Sequence, residues 1–168
     1  LEAYLAILSK NPPASDWSKE EKLAYWINAY NAFTVKLIVD HYPLESISDL
    51  HTIPLVATIW HKAWFTIGDQ EMSLNHIEHE VLRKDFEEPR IHFAINCASM
   101  SCPELRREAY TADKLEAQLQ EQAQLFLRQE IRNNITEEHA RISPIFLWFR
   151  GDFVAVSYTH LTLPTNGC

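Results

Sequence analysis

Two cysteines, Cys97 and Cys102, lie in a short polar stretch that follows a mostly apolar run, residues 91–96. We interpret the apolar run as a strand that leads into a loop, and loops on rigid scaffolds often present reactive groups. A thiol in such a loop becomes a nucleophilic thiolate near neutral pH when a nearby histidine or arginine lowers its pKa. Cys97 is therefore a candidate nucleophile.

Candidate proton acceptors lie upstream, in residues 73–80. His76 and His79 are three residues apart, so they share one face of a predicted helix. Glu78 is adjacent to His79 and points in a direction about 100° away on an α-helix, so the two are not expected to bond each other. In a thiol enzyme, one imidazole would take the proton of Cys97, and Glu78 is a candidate for orienting it.

The cysteines also have other interpretations. Buried cysteine is most often inert packing. The separation of Cys97 and Cys102 is not that of a thioredoxin-like pair, although both could join His76 and His79 in a zinc site. A disulfide between Cys97 and Cys102 remains open if the protein is exported.

Further polar residues could support the same chemistry. Backbone amides of residues 98–101 could hold an oxyanion, which makes Ser99 and Ser101 candidate substrate-binding residues. Arg83 and Arg106 flank the candidate site in sequence and could bind an anionic group or pair with Glu78.

Two asparagines, Asn28 and Asn31, stand out in an otherwise apolar stretch of the longest predicted helix. A buried asparagine needs partners for its amide groups. One interpretation is a polar tie that fixes the helix against a neighbouring loop. The other is that Asn31 orients a catalytic group and Asn28 binds a substrate carbonyl.

The elements that must position these residues are mostly helices. Hydrophobic periodicity and capping signals predict the following segments: helices at 1–10, 19–40, 46–50, 74–84, 113–129 and 143–151; strands at 64–67, 71–72 and 91–96; and a hairpin within 131–142. Ser18 with Glu21, Ser73 and Asp113 are the predicted helix-starting residues. The pattern indicates one α+β domain, helix-rich, with a small, mainly antiparallel sheet.

Composition excludes several classes of function. The chain has 168 residues, 46% of them hydrophobic, and a net charge of -8. That charge argues against nucleic-acid binding. No uncharged apolar run reaches the ~18 residues of a membrane span. With three glycines, the chain has no phosphate-binding glycine loop, and we expect no cofactor or metal.

The two ends do not have the features of natural termini. The chain starts at Leu1, without an initiating Met, and residues 157–168 carry neither a charged side chain nor a hydrophobic period. We therefore expect a single domain over residues 1–156, truncated at the N-terminus and also at the C-terminus. We interpret residues 157–168 as a non-native tail derived from adapter sequence.

Four ordered blocks carry a family resemblance: YWINAYNA at 25–32, LNHIEH at 74–79, HFAINCAS at 92–99 with SCPELR at 101–106, and LWFRGDF at 147–153. Over about residues 15–153 the chain resembles the bacterial and plant family of domain of unknown function 547. Many bacterial members look exported, which implies an extracytoplasmic location in a bacterium.

The resemblance also bears on the candidate site. Plant members keep the equivalents of Asn28, Asn31, Glu78, His79 and Cys97 but have Ser in place of Cys102. This pattern favours Cys97 as a functional thiol and His79 as its base, and it weakens the disulfide and zinc interpretations.

Two functions from different classes follow. The first is a thiol-dependent hydrolase or acyltransferase that uses Cys97 and His79 on a small-molecule or peptide substrate. The second is a non-catalytic interaction or scaffold domain, in which the same polar cluster is structural.

Overall fold

The computed structural model describes residues 1–50, 58–99 and 101–155. The helices are α1 (Glu2–Lys10), α2 (Lys19–Asp40), α3 (Arg83–Asp85), α4 (Leu115–Leu127), α5 (Ile145–Trp148) and α6 (Arg150–Ala155). Strands β1 (Phe65–Ile67) and β2 (Gln70–Met72) form one antiparallel hairpin, and β3 (Asn134–Ile135) and β4 (Ala140–Arg141) form another. The prediction of a helix-rich α+β domain is confirmed.

Helix α2 lies at the centre of the domain, and its start is the one that the sequence predicts. The Ser18 hydroxyl accepts a hydrogen bond from the Glu21 amide at 3.1 Å, and the Glu21 carboxylate accepts one from the Ser18 amide at 2.7 Å. Both partners of this capping box use backbone amides that the first helical turn leaves unpaired. Ile27, Ala29 and Tyr30 are almost completely buried, so the helix has neighbours on most sides.

Helix α1 and the β1–β2 hairpin pack on α2 from one side. Gly68 turns the hairpin with φ of 59°, a conformation that glycine adopts without a steric penalty. Its amide donates a hydrogen bond to the Ser9 carbonyl at 2.8 Å, which joins the turn to the end of α1. Phe65 of β1 stacks on Phe33 of α2, with ring centroids 3.8 Å apart.

The predicted helix at 74–84 forms, but its central part is a π-helical segment, His76–Leu82, which continues into α3. Ser73 caps its start, because its hydroxyl accepts a hydrogen bond from the His76 amide at 3.1 Å. A π-helix has more residues per turn than an α-helix, so successive side chains point in closer directions. This brings the adjacent Glu78 and His79 closer to one face.

The prediction of a strand at 91–96 is wrong. Pro89–Phe93 form a 3-10 helix, started by Pro89 and by the Glu88 carboxylate, which accepts a hydrogen bond from the Arg90 amide. The whole helix is buried and packs against α4. A short, fully buried apolar run has the same sequence pattern in a strand and in a helix, which explains the error.

Two helix boundaries also differ from the prediction. Helix α4 begins at Leu115 after Lys114, with no side-chain cap, so Asp113 does not start it. The aromatic helix does not end at Gly151. Instead the helix is interrupted at Phe149, and a second helix, α6, contains Gly151 and Asp152.

A second apolar cluster holds the C-terminal helices in place. Phe93, Phe126 and Ile145 are buried together, and Phe146 and Phe153 pack against them. No helix within the described ranges has both the length and the apolar character needed to cross a membrane. The predicted tail, residues 157–168, lies outside the described residues.

The capping box of α2 yields a stability prediction. Ser18→Ala should lower the free energy of unfolding by about 1 kcal/mol, because the Glu21 amide loses its acceptor. Urea unfolding measures the loss. Ser15→Ala is the matched control, since Ser15 is exposed and its hydroxyl bonds no described residue. Equal stability of the two variants would contradict the cap.

Candidate functional site

A pocket of about 340 Å³ lies where α2, the π-helical segment, α5 and the segment around residues 92–103 meet. Four aromatic side chains line it, namely Tyr30, Trp60, Trp148 and Phe149. Its ionisable side chains include Glu78, His79 and His92, and its sulfur atoms belong to Cys97 and Cys102. We call this cavity the aromatic pocket. It combines an apolar lining with a few polar groups, as small-molecule sites usually do.

Cys97 and Cys102 form a disulfide on the wall of the aromatic pocket. This corrects the expectation drawn from the family resemblance, which argued against a disulfide between these two cysteines. Neither sulfur is a free thiolate in this state, so neither is available as a zinc ligand or a nucleophile. No group of three or more His, Cys, Asp or Glu in residues 1–50, 58–99 and 101–155 is placed to hold a metal ion.

The loop closed by this disulfide, the cystine loop (residues 97–102), is positioned by Asn31. The Asn31 amide group donates to the Ala94 carbonyl at 2.9 Å and accepts from the Asn96 amide at 2.9 Å. The Asn96 side chain in turn accepts from the Ala98 amide and donates to the Pro103 carbonyl. A chain of amide groups therefore runs from α2 to both ends of the cystine loop.

Asn28 makes an equivalent tie one helical turn earlier. Its side-chain amide donates to the Tyr110 carbonyl at 2.8 Å and accepts from the Tyr110 amide at 2.9 Å. Both polar atoms are thus used by the backbone of a segment 82 residues away. This arrangement favours the polar-tie interpretation over substrate binding.

Glu78 lies in the aromatic pocket and has one hydrogen-bond partner among the described residues. The buried Tyr30 hydroxyl donates to its Oε2 at 3.2 Å. Burial raises the pKa of the Glu78 carboxyl, although the Tyr30 hydrogen bond and the Arg83 charge oppose the shift. Glu78 is therefore closer to accepting a proton near neutral pH than an ordinary glutamate.

His79 is held by Arg83 rather than by Glu78. The Arg83 guanidinium lies 2.8 Å from His79 Nδ1. Arginine only donates hydrogen bonds, so Nδ1 must be the acceptor and the ring proton sits on Nε2. Burial, followed by the Arg83 charge, lowers the pKa of His79. His79 is a neutral imidazole whose one basic nitrogen is already engaged.

Arg83 also binds Asp152 of α6 through two hydrogen bonds, from Nε at 2.6 Å and from a terminal nitrogen at 2.9 Å. Asp152 accepts a third bond from His92 Nε2 at 2.8 Å. The Arg83 hydrogen bonds hold the pKa of the Asp152 carboxyl below its usual range, so it stays ionised. Phe149 stacks on the His92 ring with centroids 3.7 Å apart.

His92 is only 2% exposed, and burial lowers its pKa to about 4 despite the Asp152 carboxylate. Its Nε2 proton is donated to Asp152, which leaves Nδ1 as an acceptor without a described partner. His79 and His92, two of the three histidines that line the aromatic pocket, are therefore complementary. His79 has a free donor at Nε2, and His92 has a free acceptor at Nδ1.

The structure brings three of the predicted catalytic residues, Cys97, His79 and Glu78, to one pocket. Asn31 lies behind the cystine loop and holds it from α2. Arg83 lies beside His79, as part of the Asp152 network.

The remaining predicted residues are not among those lining the pocket. Ser99 and Ser101 bond each other at 3.0 Å within the cystine loop. The Ala98 amide donates to the Asn96 side chain and the Ser101 amide to the Ser99 hydroxyl, so neither is free to hold an oxyanion. Arg106 pairs with Glu108 and Glu121 at another surface.

Sequence reasoning did not assign roles to His92, Asp152 and Tyr30. Asp152 lies in the quoted block LWFRGDF, and an acidic residue in an aromatic segment was a signal. Its partners Arg83 and His92 are 69 and 60 residues away, however, and no local pattern links them.

The fold and pocket define a helix-rich α+β domain with a histidine-containing pocket. The family model described as a protein of unknown function, DUF547, matches residues 14–127, and the chain belongs to that family. Asp152 lies beyond the matched segment. No curated protein and no solved structure matches the chain significantly.

The buried His92 should make stability depend on pH. The unfolded chain binds a proton at the ordinary histidine pKa of 6.5, whereas folded His92 does so only near pH 4. Its stabilising effect is complete above pH 6.5 and is lost as the pH falls. From pH 7 to pH 5 the loss should be about 2 kcal/mol.

Urea unfolding at the two pH values measures this difference. His92→Gln should flatten the dependence, since glutamine does not titrate and can still donate to Asp152. Glu78 and His79 titrate in wild type and variant alike, so comparing the two proteins isolates His92. The exposed His76 supplies a matched control, His76→Gln, which should keep the wild-type slope. An unchanged slope in His92→Gln would contradict the assignment.

Proposed function

We propose that the reduced protein is a thiol-dependent hydrolase or acyltransferase with Cys97 as nucleophile. The observation that carries the proposal is the presence of Cys97, His79 and His92 on the wall of one pocket. The disulfide-bonded form is then the inactive form, because the nucleophile is the thiol sulfur and not the disulfide.

Hydrogen bonding favours His92 over His79 as the proton acceptor. The basic nitrogen of His79 is occupied by Arg83, whereas the free nitrogen of His92 is an acceptor. The Asp152 carboxylate would stabilise the imidazolium that forms on His92, as in other nucleophile–base–acid sites. His92 thus takes the role first expected of His79.

In the first step the Cys97 sulfur attacks a substrate carbonyl carbon while its proton moves to His92 Nδ1. His79 Nε2–H is positioned by Arg83 as a donor for the oxyanion. The proton then passes from His92 to the leaving group, and a thioester forms on Cys97. Water or a second acceptor releases the acyl group and restores the thiol.

The low pKa of His92 sets the timing of the proton transfer. An imidazole with a pKa of about 4 is too weak a base to hold the thiol proton before the reaction. The thiol proton is therefore transferred to His92 only as the sulfur attacks. No preformed thiolate–imidazolium pair is expected.

The lining of the pocket favours an apolar acyl group. Trp60, Trp148 and Phe149 present aromatic surface, and the polar groups are few. Trp148 is 59% exposed, so a bound apolar group would cover apolar surface that faces solvent. Small aryl esters are accordingly suitable probes.

The second candidate, a scaffold domain, is favoured by a different observation. The disulfide and the Asn28 and Asn31 ties use polar groups to join α2 to distant segments. In a scaffold domain the Cys97–Cys102 disulfide is permanent, and the pocket catalyses no reaction.

Activity before and after reduction separates the two candidates. Wild type should form an acyl adduct on Cys97 from an aryl ester only after treatment with a phosphine reductant. Cys102→Ser frees Cys97 and should react without reductant. Intact-protein mass spectrometry detects the adduct, and peptide mapping distinguishes Cys97 from Cys168.

Two variants test the assigned roles in reduced protein. Cys97→Ser should abolish the adduct, and His92→Gln should slow its formation about 100-fold, whereas the exposed control His76→Gln should not. A folded Cys102→Ser protein that leaves Cys97 unmodified by aryl esters and by iodoacetamide until denaturant is added would support the scaffold instead.

A further inference from the structure

We infer that Cys97 is a modification site for low-molecular-weight thiols, which enter the aromatic pocket and form a mixed disulfide with its sulfur. This inference goes beyond the acyl-transfer proposal and does not need it, since the modified group is the cystine itself. The ligand class is a small aliphatic thiol, such as cysteine or the thiol of a short peptide.

The two cysteines of the disulfide differ in exposure. Cys102 is 4% exposed and is followed by the buried Pro103, whereas Cys97 is partly exposed. Thiol–disulfide exchange requires direct approach of the incoming sulfur to the sulfur it attacks. The difference in exposure therefore selects Cys97 as the attacked atom and Cys102 as the leaving group.

The pocket provides room for such a thiol beside the cystine. Its volume of about 340 Å³ lies within the range of small-molecule sites. Two polar groups line the aromatic pocket beside the disulfide. The neutral His79 presents an N–H donor, and Glu78 presents a partly buried carboxyl. These groups can bind the polar part of a small thiol while the aromatic side chains contact its carbon atoms.

Hydrogen bonds that do not involve the sulfurs also hold the two ends of the cystine loop, and this favours reversible exchange. Asn96 joins the two ends of the loop, since its backbone amide donates to the Asn31 side-chain oxygen and its side chain donates to the Pro103 carbonyl. The side-chain bond to Pro103 measures 2.5 Å and spans the loop independently of the sulfurs. After the disulfide opens, Cys102 stays near Cys97 and can attack the mixed disulfide.

The backbone of the loop is also unusual next to Cys97. Ala98 has φ of 57°, in the left-handed region that residues with a Cβ rarely adopt. No other non-glycine residue in the described part of the chain has a positive φ. Such outliers persist where the surroundings hold them and often mark functional loops.

The thiolate of the small thiol attacks the Cys97 sulfur, a new S–S bond forms, and the Cys97–Cys102 bond breaks. Cys102 leaves with the electron pair and takes a proton from solvent. Attack of Cys102 on the Cys97 sulfur reverses the step and expels the small thiol. A second small thiol attacking the adduct instead gives the dithiol form and a small-molecule disulfide.

The first experiment traps the adduct in the full chain with Cys168→Ser as background. Cys102→Ser leaves Cys97 as the one thiol, and Cys97→Ser leaves Cys102. Each protein is treated with the free disulfide of the amino acid cysteine, which adds one cysteine to a reactive protein thiol by exchange. Mass spectrometry should show modification of Cys97 at least tenfold faster than modification of Cys102. Equal rates, or a faster reaction at Cys102, would overturn the inference.

The second experiment keeps the native Cys97–Cys102 disulfide, in case a variant fails to fold. The disulfide-bonded protein is treated briefly with reduced cysteine and quenched with N-ethylmaleimide. Peptide mapping should place the cysteine adduct on Cys97 and the maleimide on Cys102. The opposite distribution, or no adduct before denaturant is added, would refute the assignment. Neither readout depends on acyl transfer, so failure of one proposal leaves the other testable.

Discussion

The ion pair between Arg83 and Asp152 organises the chemistry of the aromatic pocket. It joins α3, which follows the π-helical segment, to α6, across 69 residues of chain. Its two parallel hydrogen bonds fix the guanidinium plane, as bidentate arginine–carboxylate pairs do. The same guanidinium sets the ring proton of His79 on Nε2, and the same carboxylate orients His92. Phe149 lies between these groups, stacked on His92 and below Arg83.

Burial explains why His79 and His92 favour their neutral forms beside a carboxyl with a raised pKa. A charged group loses solvation when it is buried, so both imidazoles favour the neutral form and Glu78 favours the protonated form. Arg83 strengthens the effect at His79, whereas Asp152 only partly offsets it at His92. Shifts of opposite sign in one cavity are typical of acid–base sites, and structural networks produce them as well.

The asparagines of α2 have a related structural role. Asn28 and Asn31 each behave as an extra peptide group, donating to one backbone carbonyl and accepting from a backbone amide. A side-chain amide matches the hydrogen-bonding capacity of the backbone, so it satisfies an irregular segment without a strand partner. Asn31 thereby determines where the cystine loop lies, although it does not line the pocket.

Local pattern was sufficient for α2, for its Ser18–Glu21 cap and for the two hairpins, because capping and turn preferences act over a few residues. The sequence also indicated Cys97, His79 and Glu78, which share the pocket. The 3-10 helix Pro89–Phe93, the disulfide and the proton positions on the two histidines were decided by tertiary structure. The 3-10 helix depends on its packing against α4 and the His92 proton on Asp152, both far away in the chain. The disulfide and the Arg83–His79 hydrogen bond join near neighbours whose side chains are brought together by the fold. Hydrogen bonding and desolvation act through space, so the sequence names these groups without showing which of them meet.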